Sequence, residues 1–162
     1  MIPLQLSLKN FLSYSEASLD FTGLHTACIC GANGAGKSSL LEGITWAIWG
    51  ECRAVSEDDA ISNGAMDVRV DFTFGMHGET CRIIRTRQRD GNGALEFQIQ
   101  TSGGQFRTLT QKGIRSTQAL IDDYLKIDYD TFINSAYLRQ GKADEFMRKK
   151  PADRKQILAD LL

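Results

Sequence analysis

No run of apolar residues in this 162-residue sequence approaches the roughly 20 that a membrane-spanning helix needs. The opening residues, Met1 to Ser7, show no basic segment leading into a long apolar one, so no secretory signal is read there. A soluble, cytoplasmic chain with no membrane partner is expected. Charge of one sign is missing as well. Nineteen Lys and Arg against 20 Asp and Glu leave a net charge of -1, so any affinity for nucleic acid must come from local patches. Cysteine is scarce: Cys28, Cys30, Cys52 and Cys81 form no CxxC pair and no Cys/His cluster with metal-ligand spacing. Reduced, buried thiols are expected, with Cys28 and Cys30 on one face of a strand. Internal repeats and low-complexity segments are absent. What remains is 42% hydrophobic, enough for the core of about one domain.

The hydrophobic pattern changes period along the chain. Leu4, Leu6 and Leu8 alternate with polar residues and read as a half-buried strand, with a second strand near Ser18 to Phe21. His25 to Cys30 is short, mostly apolar and bounded by glycines, which suits a buried strand. Leu40, Leu41, Ile44, Ala47 and Ile48 recur at helical spacing, and Gly50 follows as a C-cap. Glu51 to Gly64 reads as a polar loop with one helical turn. A period of two then runs through Val68, Val70, Phe72 and Phe74, then Glu79 to Gln88, Leu95 to Thr101 and Gln105 to Leu109. Turn residues stand at Gly75 to Gly78, Asp90 to Gly93 and Ser102 to Gly104, so an antiparallel meander is expected. Helices are expected near Gly113 to Leu125 and Asp130 to Asn134. A last one begins at Pro151, with Ile157, Leu158, Leu161 and Leu162 at helical spacing. That stripe ends without a stop signal, and a longer natural helix is expected.

Between the expected strand and the first helix stands Gly31-Ala-Asn-Gly-Ala-Gly-Lys-Ser38, which fits the pattern G-x-x-x-x-G-K-[ST]. Each part has a physical reason. Gly31, Gly34 and Gly36 allow left-handed turns and a close approach to phosphate. Successive N–H groups of Gly31, Ala32, Asn33, Gly34, Ala35 and Gly36 can then point at one anion. The helix starting near Lys37 adds a dipole of about half a charge. Lys37 reaches the β- and γ-phosphates, and the Ser38 hydroxyl takes a Mg²⁺ position, with Ser39 beside it. The pattern indicates a nucleoside triphosphate without saying which machine uses it.

Three segments then resemble SMC-like DNA-repair ATPases. Leu8-Lys-Asn-Phe-Leu-Ser-Tyr14 with Leu19-Asp-Phe21 looks like their opening strand pair. Asn33 to Ser39 with Leu40-Leu-Glu-Gly-Ile44 looks like their P-loop and helix. Tyr137-Leu-Arg-Gln-Gly141 with Phe146 resembles their Q-loop. The resemblance implies an α/β fold: the N-terminal lobe of an ABC-type ATPase head over residues 1–150, with the P-loop helix on a mixed sheet and a meander beside it. Residues 151–162 would start a coiled coil. It implies ATP and Mg²⁺ as cofactors, Lys37 and Gln140 as catalytic residues, and Ser38 and Gln140 as metal contacts. Ser62 and Asn63 would approach the base or ribose. The partners implied are a C-terminal lobe of the same protein, a second head, a nuclease subunit and double-stranded DNA, in a bacterial cytoplasm near the nucleoid.

Two things are missing against that pattern. No four apolar residues run into Asp-Glu, and no Ser-Gly-Gly-type signature occurs. The family carries both in the C-terminal lobe, so the resemblance implies a half-site that hydrolyses ATP poorly alone. Relatives often carry a basic residue where Leu12 stands. Arg85, Arg87 and Arg89 alternate, so a strand would put them on one face, where a basic stripe can track DNA or simply be solvated. The basic stretch from Arg139 to Lys155 has the same two readings. Rival readings are another SMC- or RecF-like ATPase, an ABC transporter's nucleotide subunit, and a nucleotide-regulated module without turnover.

Overall fold

The computed structural model describes residues 1–135 and 150–151. It separates into two compact units, Met1–Gln118 and Ala119–Leu162. The first holds β1 (Ile2–Phe11), β2 (Tyr14–Asp20), α1 (Lys37–Trp49), a 3-10 turn (Glu57–Ala60), β3 (Asp67–Met76), β4 (Glu79–Gln88), β5 (Gly93–Gln100) and β6 (Phe106–Thr108). α2 (Ile114–Leu125) starts in the first unit and ends in the second, where α3 (Tyr129–Ser135) follows. Asp128 accepts a 2.7 Å hydrogen bond from the N–H of Thr131 and so caps α3. Among the described residues no helix is long and apolar enough to cross a membrane.

The six strands form one sheet in the order β2-β1-β3-β4-β5-β6, and every pairing is antiparallel. Alternation decides which residues face the core. Val68, Val70, Phe72 and Phe74 are each 0% exposed, and their β4 partners in register are Arg87, Arg85, Ile83 and Cys81. α1 covers this face. Gly43 lets it come close, because a β-carbon there would lie 2.7 Å from Leu8 Cδ2. Phe11 and Trp46 close the layer, with ring centroids 5.5 Å apart. Each large apolar side chain buried here contributes about 1.5–3 kcal/mol. α1 stops where the pattern predicts. Gly50 adopts φ 79°, and its N–H returns to the Trp46 carbonyl. Residues 57–60 supply the expected helical turn, closed by a capping box between Ser56 and Asp59.

One expected element is not formed. Residues 22–30 are exposed and join no strand, so His25 to Cys30 is not a buried strand. The cause is pairing: the described sheet ends at β2 and β6, and offers this segment no neighbour to satisfy its N–H and C=O groups. Among the described residues no parallel pairing of the expected mixed sheet is seen, and the meander belongs to the main sheet instead of lying beside it. Cys28 and Cys30 do share a side, with their sulfurs 3.4 Å apart, but both are exposed; only Cys81 is buried and Cys52 is half-buried. Burial pushes the Cys52 thiol above its ordinary value. The Gln140 segment, the Arg139 to Lys155 stretch and the last helix beyond Pro151 lie outside the described residues.

Candidate nucleotide site

The glycine-rich loop ends in a helix start with an open N-terminus. Gly34 and Gly36 both adopt φ 85°, and Gly36 is the N-cap of α1. No side chain caps this end, and no acidic residue occupies the first turn. Both features favour an incoming anion over a protein carboxylate. Lys37 bends back over the loop, its Nζ donating to the carbonyls of Gly31 and Ala32, both at 2.8 Å. Residues Gly31 to Ala35 are exposed, and Ser38 is half-buried beside them. The uncapped N–H groups, the lysine and the Ser38 hydroxyl therefore suit a phosphate group. Among the described residues no group of three His, Cys, Asp or Glu could hold a metal ion. Of the described residues, the Ser38 hydroxyl is the group that could meet a Mg²⁺ carried by phosphate oxygens.

The loop is buttressed from two sides. On one, the β1–β2 turn presents Ser13 and Tyr14: a β-carbon on Gly36 would stand 2.6 Å from Ser13 Oγ and 3.0 Å from the Tyr14 ring. The Tyr14 hydroxyl donates to the Ala35 carbonyl at 3.5 Å. On the other, residues after α1 fold back. Arg53 Nη2 donates to Ser39 Oγ at 2.7 Å and Nε lies 3.5 Å from Glu42. Ser39 is fully buried, so its hydroxyl is given to protein partners and not to the loop's open side. Ser62 donates to the carbonyls of Leu12 at 2.8 Å and Tyr14 at 3.1 Å, while its N–H reaches Asn10. It thus pins its own segment to the turn behind the loop, and Asn63 next to it is exposed. Leu12, in the same turn, adopts φ 49°. Neither Ser13 nor Arg53 was legible as a site residue, because nothing in the spacing links them to the loop.

Arg85, Arg87 and Arg89 share a face as alternation predicts, but it is the face on which α1 packs. Arg85 donates to the carbonyls of Ala47 and Ile48, each at 3.1 Å, and to Gln118 at 2.6 Å. Gln118 also donates to Ile48 at 3.0 Å. The pair thus caps the C-terminus of α1, where a cation also meets the negative end of the helix dipole. Arg87 pairs with Asp58 at 2.6 Å and with Glu57. Arg89 donates to the carbonyls of Ala65, Ile61 and Ser62. A basic stripe that tracks DNA or is simply solvated was the expectation here; the contacts described are with the fold itself. The N–H of Asp90 and then the Arg87 guanidinium hold the Asp58 carboxyl below the ordinary range. Asp58 in turn raises Arg87.

A glycine-rich loop opening onto an uncapped helix, with a lysine arched across it, defines a P-loop nucleotide-binding domain. The chain belongs to the AAA domain family, which it matches over residues 5–162. It is 33% identical to the DNA double-strand break repair Rad50 ATPase of Thermoplasma volcanium, over 100% of this chain and 18% of that protein. It is 32% identical to the SbcC component of the SbcCD nuclease of Deinococcus radiodurans, over 99% of this chain and 18% of that protein. The chain therefore spans about a fifth of the length of these relatives, in their N-terminal portion. Among solved structures it resembles the recombination mediator RecF bound to an ATP analogue, with a TM-score of 0.54 at 15% identity, covering 98% of this chain and 37% of that one. That likeness concerns the fold alone.

Proposed function

We propose that this chain is the ATP-binding N-terminal lobe of a split ATPase head in a DNA-repair nuclease complex of the SbcCD or Rad50 kind. The observation that carries the reading is the pairing of a complete phosphate-binding loop with an unpaired approach to it. Lys37 and the open N-terminus of α1 can hold phosphates, while among the described residues the segment leading into Gly31 has no strand beside it. Leu24 and Ile29 on that segment are 53% and 38% exposed. A C-terminal lobe that adds strands alongside would pair this backbone, cover these side chains and bring the missing Asp-Glu carboxylates. Bound Mg²⁺ would neutralise phosphate charge, with Ser38 and Gln140 as this lobe's contacts to it. Lys37 holds the phosphates, and Gln140 orients the water. Asn63, exposed beside Ser62, is this lobe's candidate contact to base or ribose.

The complete head would pair with a second copy when ATP is bound and control the access of double-stranded DNA to a nuclease subunit resembling SbcD. Residues 1–150 form the lobe and residues 151–162 begin the coiled coil. The test is ATP hydrolysis by this chain mixed with the matching C-terminal lobe, beside Lys37→Ala and Gln140→Ala. Turnover confined to the mixture and lost in both variants is expected. Strong turnover by the 162 residues alone would instead point to a self-contained enzyme.

A further inference from the structure

Arg53 lies outside the phosphate-binding loop in sequence, 14 residues beyond Ser39, yet its guanidinium reaches the start of α1. Its two contacts there differ in kind. Glu42, 8% exposed, lies 3.5 Å from Nε, and a carboxylate that deep is costly unless a cation answers it. The 2.7 Å bond goes to Ser39 Oγ, which is fully buried. Ser13 reaches the same hydroxyl at 3.4 Å, and Ser13 is also the side chain standing against Gly36. One hydroxyl therefore joins the β1–β2 turn, the first turn of α1 and the segment after α1. The Arg53 side chain is 50% exposed, so its ion pair adds little to stability. Its fixed fork matters more for where Ser39 sits.

We infer that Arg53 is a positioning residue for the nucleotide site. It holds the first turn of α1 so that the N–H groups of Lys37 and Ser38, and the Ser38 hydroxyl, meet the phosphates in register. Small misplacements of such groups are costly in binding and in rate. The contact also ties the site to the segment from Glu51 to Ser56, whose Val55 is 99% exposed.

The inference rests on the P-loop being the ATP site, so Lys37→Ala is the reference variant. Fluorescently labelled ATP with Mg²⁺ is titrated into the chain and into Arg53→Ala, Arg53→Lys, Ser39→Ala and the Arg53→Ala/Ser39→Ala double variant. Thermal midpoints are read without nucleotide. Arg53→Ala and Ser39→Ala are each expected to weaken binding about tenfold, with the double variant no weaker than either, as two ends of one contact behave. Arg53→Lys keeps a charge beside Glu42 without the fork; it is expected to keep its midpoint and show the same loss of affinity. Should Arg53→Ala fail to fold, Arg53→Lys and Ser39→Ala decide the matter. Wild-type affinity in Arg53→Lys, or additive losses in the double variant, overturns the positioning role while an impaired Lys37→Ala leaves the ATP site standing. Undiminished binding by Lys37→Ala overturns the ATP site and the positioning role with it.

Discussion

The hydroxyl of Ser13 lies 2.6 Å from where a β-carbon on Gly36 would stand, so the turn between the first two strands is moulded to a glycine in the loop. The Tyr14 ring, at 3.0 Å from the same point, closes the other side. Gly36→Ala therefore faces a clash and a left-handed backbone together. About 1–3 kcal/mol of strain is expected from the φ of 85° alone. Nucleotide affinity should fall, and the urea midpoint should drop. Adding Ser13→Ala should restore part of the stability and none of the backbone cost.

Lys37→Ala should separate binding from folding. Among the described residues its ammonium is bonded to the carbonyls of Gly31 and Ala32 alone, on its own exposed loop. Charge-assisted contacts to phosphate contribute about 1.5–3 kcal/mol, or roughly ten- to a hundredfold in affinity. Titration with labelled ATP should show that loss, while the thermal midpoint without nucleotide stays unchanged.

Arg85→Ala should behave in the opposite way. It removes two hydrogen bonds from the last carbonyls of α1 and one from Gln118. Leaving such groups unsatisfied costs about 1–3 kcal/mol. Urea unfolding should show a loss of that order. Arg85→Lys should recover only part of it, because a flexible ammonium lacks the rigid planar fork that meets Ala47, Ile48 and Gln118 together.

Acid should loosen the turn at residues 57–60. The folded Asp58 carboxyl is held below its ordinary value of 3.8. A depressed carboxylate stabilises the fold above that value, and the contribution is lost as pH falls through the folded pKa. Between pH 7 and pH 5 the effect is flat. Below about pH 4 the wild type should lose stability faster than Asp58→Asn, whose contribution there is already absent.

Much of the local structure was legible because it obeys short-range rules. Gly50 ends α1, β4 has its predicted bounds, and Val68 to Phe74 face inward, each a consequence of spacing or of one glycine. The loop from Gly31 to Ser38 was legible because its chemistry fixes its spacing. The failures share a different cause. His25 to Cys30 has a strand's composition, but a strand needs a neighbour, and no local pattern reveals whether one is present. For Arg85, Arg87 and Arg89 the alternation was right, but their partners within the fold were not legible, because α1 covers that face and its carbonyls are invisible in a one-dimensional reading. Arg53 and Ser13 were missed for the same reason: their meeting at Ser39 is set by how three segments fold back on one another.

Lys37 carries its own stand-in acceptors. With its ammonium already bonded to two carbonyls of the loop, an arriving phosphate trades partners with it and does not find a bare cation. Hydrogen bonds are then nearly conserved in number across the event, and what changes is that a full negative charge replaces two neutral oxygens. Affinity at this loop should accordingly follow the charge of the ligand and fade with ionic strength.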